Sequence, residues 1–305
     1  MSAVTSTVES ATASAAGTTT RRRGRRSAKF DAVTPLGLTL RYSTLIIVLA
    51  ITVGPILWEL STSLKSPIED VFSTTPSFLP QHPTLHNYDV VAQTIPIWHF
   101  AANSCIVAAL GVGGNLIGAT AAGYALARLR FRGRRLATGL FLSTLVLPGE
   151  VTIISQYQTV TKLGFGDSLI GVALPGMIGA INVLLLRNAF RSIPDELEDA
   201  AVIDGANVWQ RIRYIGLPNI KGILSVVAIL TFIAAWDDFL WPLLVLQSPN
   251  KLTLTVGLSY LQGEFSADPR TIAAGAMIAL VPILVLFAVL QRYFFRGVGE
   301  GAIKG

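Results

Sequence analysis

The feature of this sequence that most restricts its fold is a series of six apolar blocks, each about as long as a helix that crosses a lipid bilayer. The blocks lie at roughly 42–61, 98–127, 136–154, 168–186, 223–246 and 271–290. Segments in lipid must satisfy their own backbone hydrogen bonds, and these blocks are too long for transmembrane strands. With 51% hydrophobic and 14% charged residues, the 305-residue chain is predicted to be an all-α polytopic membrane protein with six transmembrane helices.

The distribution of Lys and Arg predicts the orientation of these helices. Of the 24 Lys and Arg residues, all but four lie on one predicted side of the membrane, in segments 21–41, 128–135, 187–221 and 292–304. Because basic residues are retained on the cytoplasmic side, both termini are predicted to be cytoplasmic, in a multi-pass protein of the cell membrane. Topology therefore accounts for the net charge of +6, and lipid rather than nucleic acid is the expected partner.

Four further features lie in or between the blocks. Residues 1–40 contain RRRGRR among Ser, Thr and Ala and are predicted to be a disordered cytoplasmic tail, which leaves 41–305 as the transmembrane domain. Residues 65–97 contain five prolines and are expected to form an extended external loop with little helix. Residues 190–222 form a long polar segment that is expected in the cytoplasm. Close helix packing is predicted at the glycines of the second block, Gly111, Gly113, Gly114 and Gly118.

Residues 195–222, called the polar loop below, contain signals for two short helices. Ser192 is expected to cap the first helix, whose first turn holds a proline and two acids, and Gly205 is expected to end it. Asn207 lies three residues before Gln210, a spacing typical of a capping box at the start of a second helix. The polar loop is therefore predicted to be ordered rather than a flexible coil.

The first of these helices is expected to present one narrow face of small and apolar side chains, formed by Leu197, Ala200, Ala201 and Ile203. Such a face fits the groove of another protein at close approach. An amphipathic turn that lies on lipid headgroups is the alternative. The residue pattern alone leaves both interpretations open.

A run within the polar loop resembles the EAA signature of permease subunits of ABC importers. The matching residues are Glu198, Asp199, Ala200, Ala201, Asp204, Gly205 and Ala206, followed by Leu217 and Pro218. The resemblance implies that this loop forms the coupling helix that docks in a cleft of the ATP-binding subunit. Where the family usually has Glu directly before the alanine pair, this chain has Asp199, which is one methylene shorter and changes the reach of that contact.

The resemblance covers nearly all of residues 40–305 and extends to the carbohydrate subgroup of these importers. It rests on segments 124–128, 193–197, 236–242 and 291–297, the last of which is similar to the tail of the subgroup's second permease subunit. It implies the permease fold of type I ABC importers and a complex with a second permease subunit, two ATP-binding subunits and an external substrate-binding protein. The implied cargo is a sugar or oligosaccharide, with glycerol phosphate or a glycerophosphodiester as the alternative.

The sequence has no motif for chemistry of its own. It contains neither the phosphate-binding Gly-x-x-x-x-Gly-Lys-Ser/Thr loop nor a Gly-x-Ser-x-Gly elbow nor a metal-ligand spacing. We therefore assign no catalytic residue, metal site or cofactor to this chain and expect it not to be an enzyme. ATP and Mg²⁺ are expected in the partner ATP-binding subunits.

Ionisable and aromatic residues within the blocks mark a candidate substrate pathway, because charges in a membrane are costly unless they serve a function. The candidates are Glu150, Asn182, Trp236, Asp237, Asp238 and Trp241. Glu150 follows Pro148 and Gly149, where the helix is expected to break. Carboxylates beside indole rings suit a sugar, since acids accept hydroxyl hydrogen bonds and rings stack on C–H surfaces.

Alternatives for these residues stay open. One of the two aspartates can cap a helix break, and asparagines within spans more often join helices than bind ligands. The acids Glu150, Asp237 and Asp238 can also carry ions or protons in a secondary transporter that needs no ATP. A membrane-embedded enzyme ranks last, since no nucleophile and base occur at a recognisable spacing.

Overall fold

Every regular element in the described residues is a helix, which confirms the predicted all-α fold there. The computed structural model describes residues 35–73, 77–263 and 268–302, so most of the predicted tail lies outside the described residues. The α-helices are α1 (Pro35–Ser63), α2 (His86–Thr94), α3 (Ile97–Gly114), α4 (Thr120–Arg128), α5 (Arg134–Thr144), α6 (Ile153–Lys162), α7 (Leu169–Ala173), α8 (Ala180–Arg191), α9 (Asp195–Ile203), α10 (Val208–Gln210), α11 (Leu217–Asn219), α12 (Lys221–Asp237), α13 (Leu240–Val245), α14 (Leu254–Gly263) and α15 (Pro269–Ala302).

Three of the predicted spans are single helical runs, and each of the other three overlaps one helix pair that is bent at a short break. The single runs cover Gly37–Ser63, Ile97–Arg128 and Pro269–Gln291. The bent pairs are Arg134–Thr144 with Gly149–Lys162 (101°), Leu169–Gly176 with Ala180–Arg191 (47°) and Val208–Asn219 with Lys221–Asp237 (85°). By length and composition the described residues provide three spans, or six when each bent pair crosses the membrane once.

Proline and glycine account for the bends within the third and fourth blocks. Pro148 has an extended backbone and is followed by a 3₁₀ turn, Gly149–Thr152, so the predicted break beside Glu150 is confirmed. Gly179 is also extended and directly precedes α8. Each of these residues stops the i to i−4 hydrogen-bond ladder and allows the next helix to leave in a new direction.

The fifth block differs from the single span predicted over 223–246. Helix α12 ends at Asp237 because the backbone of Asp238 is extended, and a short helix, α13, follows. The break places the two aspartates at a helix end rather than inside a continuous helix.

The chain divides into two units, 1–54 and 55–305. The first unit is described from residue 35 and consists there of the first part of α1. Its apolar side chains, including Leu45, Ile46 and Ile47, are exposed. An apolar surface of this kind on a spanning helix suits contact with lipid.

The second unit contains two buried apolar clusters. One joins α3, α12 and α14 and includes Phe100, Trp236 and Leu254. The other joins α4 to α8, where the rings of Tyr124 and Phe190 pack edge to face with their centroids 5.3 Å apart. The candidate sites lie between these helices, and the two clusters hold the helices in position.

Glycines of the second block allow close approach of neighbouring segments. A π-helical turn, Asn115–Ala119, joins α3 to α4 within this block. A Cβ added to Gly114 would lie 2.7 Å from the side chain of Met177, and one added to Gly118 would lie 2.7 Å from that of Ile178. The predicted packing role is therefore confirmed at these two positions.

The proline-rich loop, residues 65–97, contains more helix than predicted. Helix α2 occupies His86–Thr94, between Pro83 and Pro96, so the expectation of little helix is wrong for that part. The side chain of Asn87 is buried and donates to the carbonyl oxygens of Ser63 and Lys65, both at 2.8 Å. These bonds fasten α2 to the end of α1.

Glu69 organises the other part of this loop. Its carboxylate accepts backbone N–H bonds from Ser66, Gln81 and His82 at 3.3, 3.1 and 3.0 Å. Burial favours the neutral carboxyl, but the N–H donors of His82, Gln81 and Ser66 outweigh it and lower the pKa of Glu69. Arg270 adds hydrogen bonds of 2.8 Å to the carbonyl oxygens of Ser66 and Glu69, which ties the loop to α15.

Asp167 joins two loops at the same end of the bundle, where α3 begins. Its carboxylate accepts the backbone N–H groups of Gln247 and Ser248 at 2.9 and 3.0 Å, and the Ser248 hydroxyl at 2.6 Å. Lys251 Nζ lies 2.9 Å from Asp167 Oδ2. The hydrogen bonds from Ser248, together with those from Lys251 and Gln247, hold the pKa of Asp167 well below its usual range.

Candidate functional site

The first helix of the polar loop, α9, ends in a glycine turn. Gly205 has a φ of 77°, a left-handed conformation that residues with a Cβ rarely adopt. Its N–H donates to Val202 O at 3.1 Å and the N–H of Ala206 donates to Ala201 O at 2.9 Å. This pair of bonds defines a Schellman motif, so the predicted role of Gly205 as the end of the helix is confirmed.

The capping residues of the loop are partly as predicted. Asn207 Oδ1 accepts the N–H of Gln210 at 2.9 Å, and Gln210 Oε1 accepts the N–H of Asn207 at 2.8 Å, which confirms the capping box. The prediction for Ser192 is wrong. Its hydroxyl donates to Ala189 O at 2.8 Å and so serves the end of α8, while α9 begins after Pro194 without a side-chain cap. Pro194, two residues after Ser192, occupies the N-cap position of α9.

Glu198 is the buried residue that anchors α9 to the rest of the protein. Its side chain is 8% exposed, and its Oε2 accepts the Tyr124 hydroxyl at 3.0 Å and Arg211 Nη1 at 3.2 Å. Arg128 Nε lies 4.0 Å from Glu198 Oε1, and the same guanidinium bonds to Asp195. These five residues, called the anchor cluster below, connect α9, the π-helical turn Arg211–Gly216 and the end of α4.

The expected small-residue face of α9 is divided in the structure. Ala201 is buried beside Glu198, whereas Asp199, Ala200 and Asp204 are exposed. The expectation that Ala200 and Ala201 share one face is therefore wrong, because adjacent residues lie about 100° apart around a helix. Asp199, which stands where the family usually has Glu, lies on the exposed side of α9.

The outer surface of the polar loop exposes large apolar side chains. Ile203 is 86% exposed, and the others are Leu197, Val202, Trp209 and Tyr214. Leu217 is half-buried against the cluster between α4 and α8, and Pro218 is exposed. An ordered segment with buried charges on one side and exposed apolar groups on the other is suited to contact with a second molecule.

The second candidate site is an open cavity of about 540 Å³ lined by residues of α3, α6, α7, α8, α12 and α13. Four of the predicted pathway residues line it, namely Glu150, Asn182, Asp238 and Trp241. Trp236 and Asp237 do not. Trp236 is buried against Phe232 and donates its Nε1 to Ala279 O at 3.1 Å, and Asp237 is exposed elsewhere.

Two asparagines and a threonine form a hydrogen-bonded network in the wall of this cavity. Asn115 Oδ1 accepts the Gly179 N–H at 3.0 Å and Asn182 Nδ2 at 2.9 Å. Asn182 Nδ2 also donates to Thr231 Oγ1 at 3.1 Å. These bonds join α8 to α12 and to the π-helical turn after α3, which agrees with the expected joining role of asparagines.

The acids beside the cavity have different surroundings. Asp238 Oδ1 accepts the backbone N–H of Trp241 at 3.3 Å, so this aspartate caps the first turn of α13, as the alternative interpretation allowed. The indole N–H of Trp241 donates to Val172 O at 3.1 Å, which leaves only the apolar ring for other contacts. Glu150 is exposed at the rim, and no group in the described part of the chain bonds to its carboxylate.

Sequence reasoning included Asn115 and Asn182 among the asparagines expected to join helices but missed other members of both sites. Thr231 is a polar residue inside an apolar block, the same signal that marked Asn182. Glu198 contacts Arg128, Arg211 and Tyr124 because the fold brings α4 against the polar loop. Such a contact between distant segments cannot be predicted from local residue spacing. Among the described residues, no group of three or more His, Cys, Asp or Glu is placed to hold a metal ion.

Comparison with known proteins agrees with this architecture. The family of binding-protein-dependent transport system inner membrane components matches residues 114–300. The arabinooligosaccharide transport permease AraQ of Halalkalibacterium halodurans is 34% identical over 229 residues, which are 75% of this chain and 82% of AraQ. The sn-glycerol-3-phosphate transport permease UgpE of Salmonella typhimurium is 32% identical over 272 residues, which are 86% of this chain and 96% of UgpE.

A solved structure supports the same conclusion. A chain of the bacterial ABC transporter that imports the acidic polysaccharide alginate superposes with a TM-score of 0.75 and 25% identity, over 85% of this chain and 96% of that one. The helical membrane fold and its bent spans are thus those of a permease component of an ABC importer. The chain belongs to the family of binding-protein-dependent transport system inner membrane components and is a permease component of a carbohydrate ABC importer.

Proposed function

We propose that this permease forms half of the translocation pathway of an ATP-driven importer of a sugar or oligosaccharide. An external binding protein delivers the solute, a second permease completes the pathway, and two ATP-binding subunits supply the energy. The two relatives named above transport arabinooligosaccharides and sn-glycerol 3-phosphate. They support the carbohydrate class of the solute, but they do not identify the individual solute.

The observation that carries the coupling role is the two-sided arrangement of the polar loop. Its inner side is fastened to α4 through the buried carboxylate of Glu198, with side-chain exposures of 8% for Glu198 and 10% for Arg128. Its outer side exposes Ile203 and Trp209. A force applied to the outer side by an ATP-binding subunit would therefore pass through the anchor cluster to a spanning helix.

The loop is also stiff enough for this task. The Schellman turn at Gly205 and the capping box at Asn207 satisfy backbone groups on both sides of the turn between α9 and α10. Movement of α9 would then rock α4 with it and convert a cavity open on one side of the membrane to one open on the other. We expect ATP binding to drive this movement and ATP hydrolysis to reset it.

Site-directed photocrosslinking tests this proposal. The only cysteine, Cys105, is changed to Ser, and Ile203→Cys is labelled with a benzophenone maleimide in the complete importer. We expect a crosslink to an ATP-binding subunit. Leu79→Cys, in the proline-rich loop and also exposed, is the matched control and should give no such product. A label at position 203 that reacts only with lipid in every nucleotide state would contradict the proposal.

Reconstitution separates this proposal from a secondary transporter. The permease pair, the ATP-binding subunits and the binding protein are placed in proteoliposomes with internal or external ATP. Uptake should require ATP and all of the components. Uptake by this chain alone in a vesicle with an ion gradient would instead support the ion-coupled alternative.

A further inference from the structure

We propose that the cavity beside Asn182 holds an uncharged, hydroxyl-rich part of the transported solute and excludes anionic groups. This inference rests on the proposed function and extends it, because it assigns direct solute contacts to this subunit and fixes the charge of the solute that it accepts. Neutral oligosaccharides and anions such as sn-glycerol 3-phosphate or alginate are both represented among the related importers.

The first observation is an unpaired buried acceptor in the cavity wall. Asn182 is only 6% exposed, and its Nδ2 is held by Asn115 and Thr231. Its Oδ1 is buried and has no hydrogen-bond partner in the described part of the chain. Because a buried polar atom without a partner is costly, a hydroxyl group that reaches this oxygen from the cavity would gain a favourable hydrogen bond.

The orientation of this oxygen is fixed by its surroundings. Both bonds made by Asn182 use the nitrogen of the amide, one to Asn115 Oδ1 at 2.9 Å and one to Thr231 Oγ1 at 3.1 Å. Asn115 is itself committed, since its Nδ2 donates to Gly176 O at 2.7 Å and to Gly111 O at 3.2 Å. An amide flip would place two oxygens against each other, so the acceptor remains turned away from the network.

The second observation is the charge of the lining. The cavity contains two carboxylates, Glu150 and Asp238, and its lining includes no Lys, Arg or His. Carboxylates accept hydroxyl hydrogen bonds strongly and repel anions, whereas phosphate and carboxylate ligands are typically held by Arg or Lys. Trp241, which is 8% exposed and has its N–H bonded to Val172, adds only apolar surface to the lining, of the kind that packs on the C–H groups of a sugar ring.

The test uses proteoliposomes that contain the complete importer with its binding protein and internal ATP. Uptake of neutral probes, arabinotriose, galactotriose and diacetylchitobiose, is compared with uptake of sn-glycerol 3-phosphate and of an alginate trisaccharide. The measured quantity is solute imported per ATP hydrolysed. We expect a neutral probe to be imported and the two anions to be imported at least about 10-fold less efficiently, as expected for a buried like-charge encounter.

Variants of the cavity then test the individual contacts. Glu150→Gln and Asp238→Asn keep the shape of the side chains and remove their charge, and Asn182→Ala removes the unpaired acceptor. Each should lower import of the neutral probe per ATP by about 3- to 10-fold, the loss typical of one hydrogen bond. Glu150 bonds to no described group, so its variant tests the inference even where Asn182→Ala does not fold.

Asn103→Ala is the matched control for Asn182→Ala. Asn103 is also 6% exposed, and its Nδ2 donates to Asn250 O at 3.1 Å and Leu252 O at 2.9 Å, outside the cavity. It should lower the thermal stability of the complex while leaving the import per ATP of the surviving protein unchanged. An equal loss of coupling in Asn103→Ala and Asn182→Ala would assign Asn182 a purely structural role.

The outcomes separate the two levels of the proposal. ATP-dependent import of an anion in preference to the neutral probes, or faster import of the neutral probe after removal of either charge, overturns the inference and leaves the permease function intact. Neutral import that none of the cavity variants alters also overturns the inference. The absence of any ATP-dependent uptake by the unmodified complex would instead overturn the proposed function, and the assignment of the cavity with it.

Discussion

The anchor cluster and the Asp167 cluster both use one carboxylate to join segments that are distant in sequence, yet they differ in exposure. In the anchor cluster, the side chains of Glu198, Arg128 and Arg211 are 8%, 10% and 17% exposed, although that of Asp195 at its edge is 84% exposed. In the other cluster, Asp167 is 29% and Lys251 is 42% exposed. Water can replace a lost partner at the exposed cluster and cannot at the buried one, so the same chemistry stabilises the two regions to different extents.

The largest expected effect comes from removing the carboxylate of the anchor cluster. Glu198→Ala leaves the guanidinium groups of Arg128 and Arg211 close together without their shared partner. We expect a loss of about 3–5 kcal/mol in the free energy of unfolding, the cost of breaking a buried ion pair. The measurement is denaturant unfolding of the purified permease in mild detergent.

Asp199→Ala is the control for this change, because Asp199 is the adjacent acid on the same helix and is exposed. Its free energy of unfolding should stay within about 0.5 kcal/mol of the unmodified value. Comparable losses for the two variants would show that the anchor cluster is no more important to stability than an exposed acid, and the comparison above would fail.

The next effect compares a hydroxyl that bonds to the charged group of the anchor cluster with one that bonds to a neutral group elsewhere. Tyr124→Phe removes the donor that lies 3.0 Å from Glu198 Oε2 and should cost about 1.5–3 kcal/mol, because the acceptor is charged. Tyr88→Phe, at the other end of the bundle, removes a neutral bond of 2.8 Å to the Ser63 hydroxyl and should cost about 0.5–1.5 kcal/mol. Denaturant unfolding of both variants in one detergent gives the ranking, and a reversed order would refute it.

A smaller effect is expected at the turn that holds α9 in place. Gly205 has a positive φ, but a Cβ built there meets no atom within 4 Å, so the conformation rather than space restricts the position. Gly205→Val should cost about 1–2 kcal/mol, the penalty of a left-handed backbone. Gly205→Asn should cost less, since Asn tolerates this conformation. Equal stability losses for the two variants, measured by thermal unfolding, would argue for steric contact instead.

The same substitutions also separate stability from coupling. In the assembled importer, Gly205→Val should uncouple ATP hydrolysis from import more than Gly205→Asn does, because only the valine variant shifts the end of α9. Import per ATP hydrolysed is the relevant measurement. Normal import by a correctly assembled Gly205→Val complex would contradict the assignment of the polar loop to coupling.

The contrast between these regions also shows what the sequence could predict. Local signals predicted the capping box at Asn207, the glycine turn at Gly205 and the break at Pro148, because each depends on residues a few positions apart. Block lengths predicted the spans. The helix α2 was missed because five prolines in the loop concealed the proline-free stretch from His86 to Thr94.

Long-range contacts were beyond such reasoning. The carboxylate of Glu198 belongs to the motif that led to the family, but its inward direction depends on Tyr124, 74 residues earlier in the chain. Asn182 lies in the cavity because α8, α12 and the turn after α3 converge there. Trp236 illustrates the opposite error, since an aromatic residue beside two acids was expected in the pathway and instead packs in the core.

The smallest effect is expected at the Asp167 cluster, and it depends on pH. Hydrogen bonds from Ser248, Lys251 and Gln247 lower the pKa of Asp167 in the folded protein relative to about 3.9 in an unfolded chain. A carboxyl with a lowered folded pKa stabilises the fold above the unfolded value, and this contribution is lost as the pH falls through the folded pKa. Unmodified protein should therefore lose stability on acidification below about pH 4 more steeply than Asp167→Asn does.

Thermal unfolding of both proteins between neutral and acidic pH measures this difference directly. At neutral pH, Asp167→Asn should be slightly less stable, because the amide holds the Ser248 and Lys251 donors less strongly than a carboxylate. The gap should narrow as Asp167 becomes protonated, and 1 M salt should also reduce it, since Lys251 is partly exposed. A stability difference between the two proteins that is independent of both pH and salt would mean that the charge of Asp167 contributes nothing. The two clusters would then differ in whether a charge stabilises them, and not only in exposure.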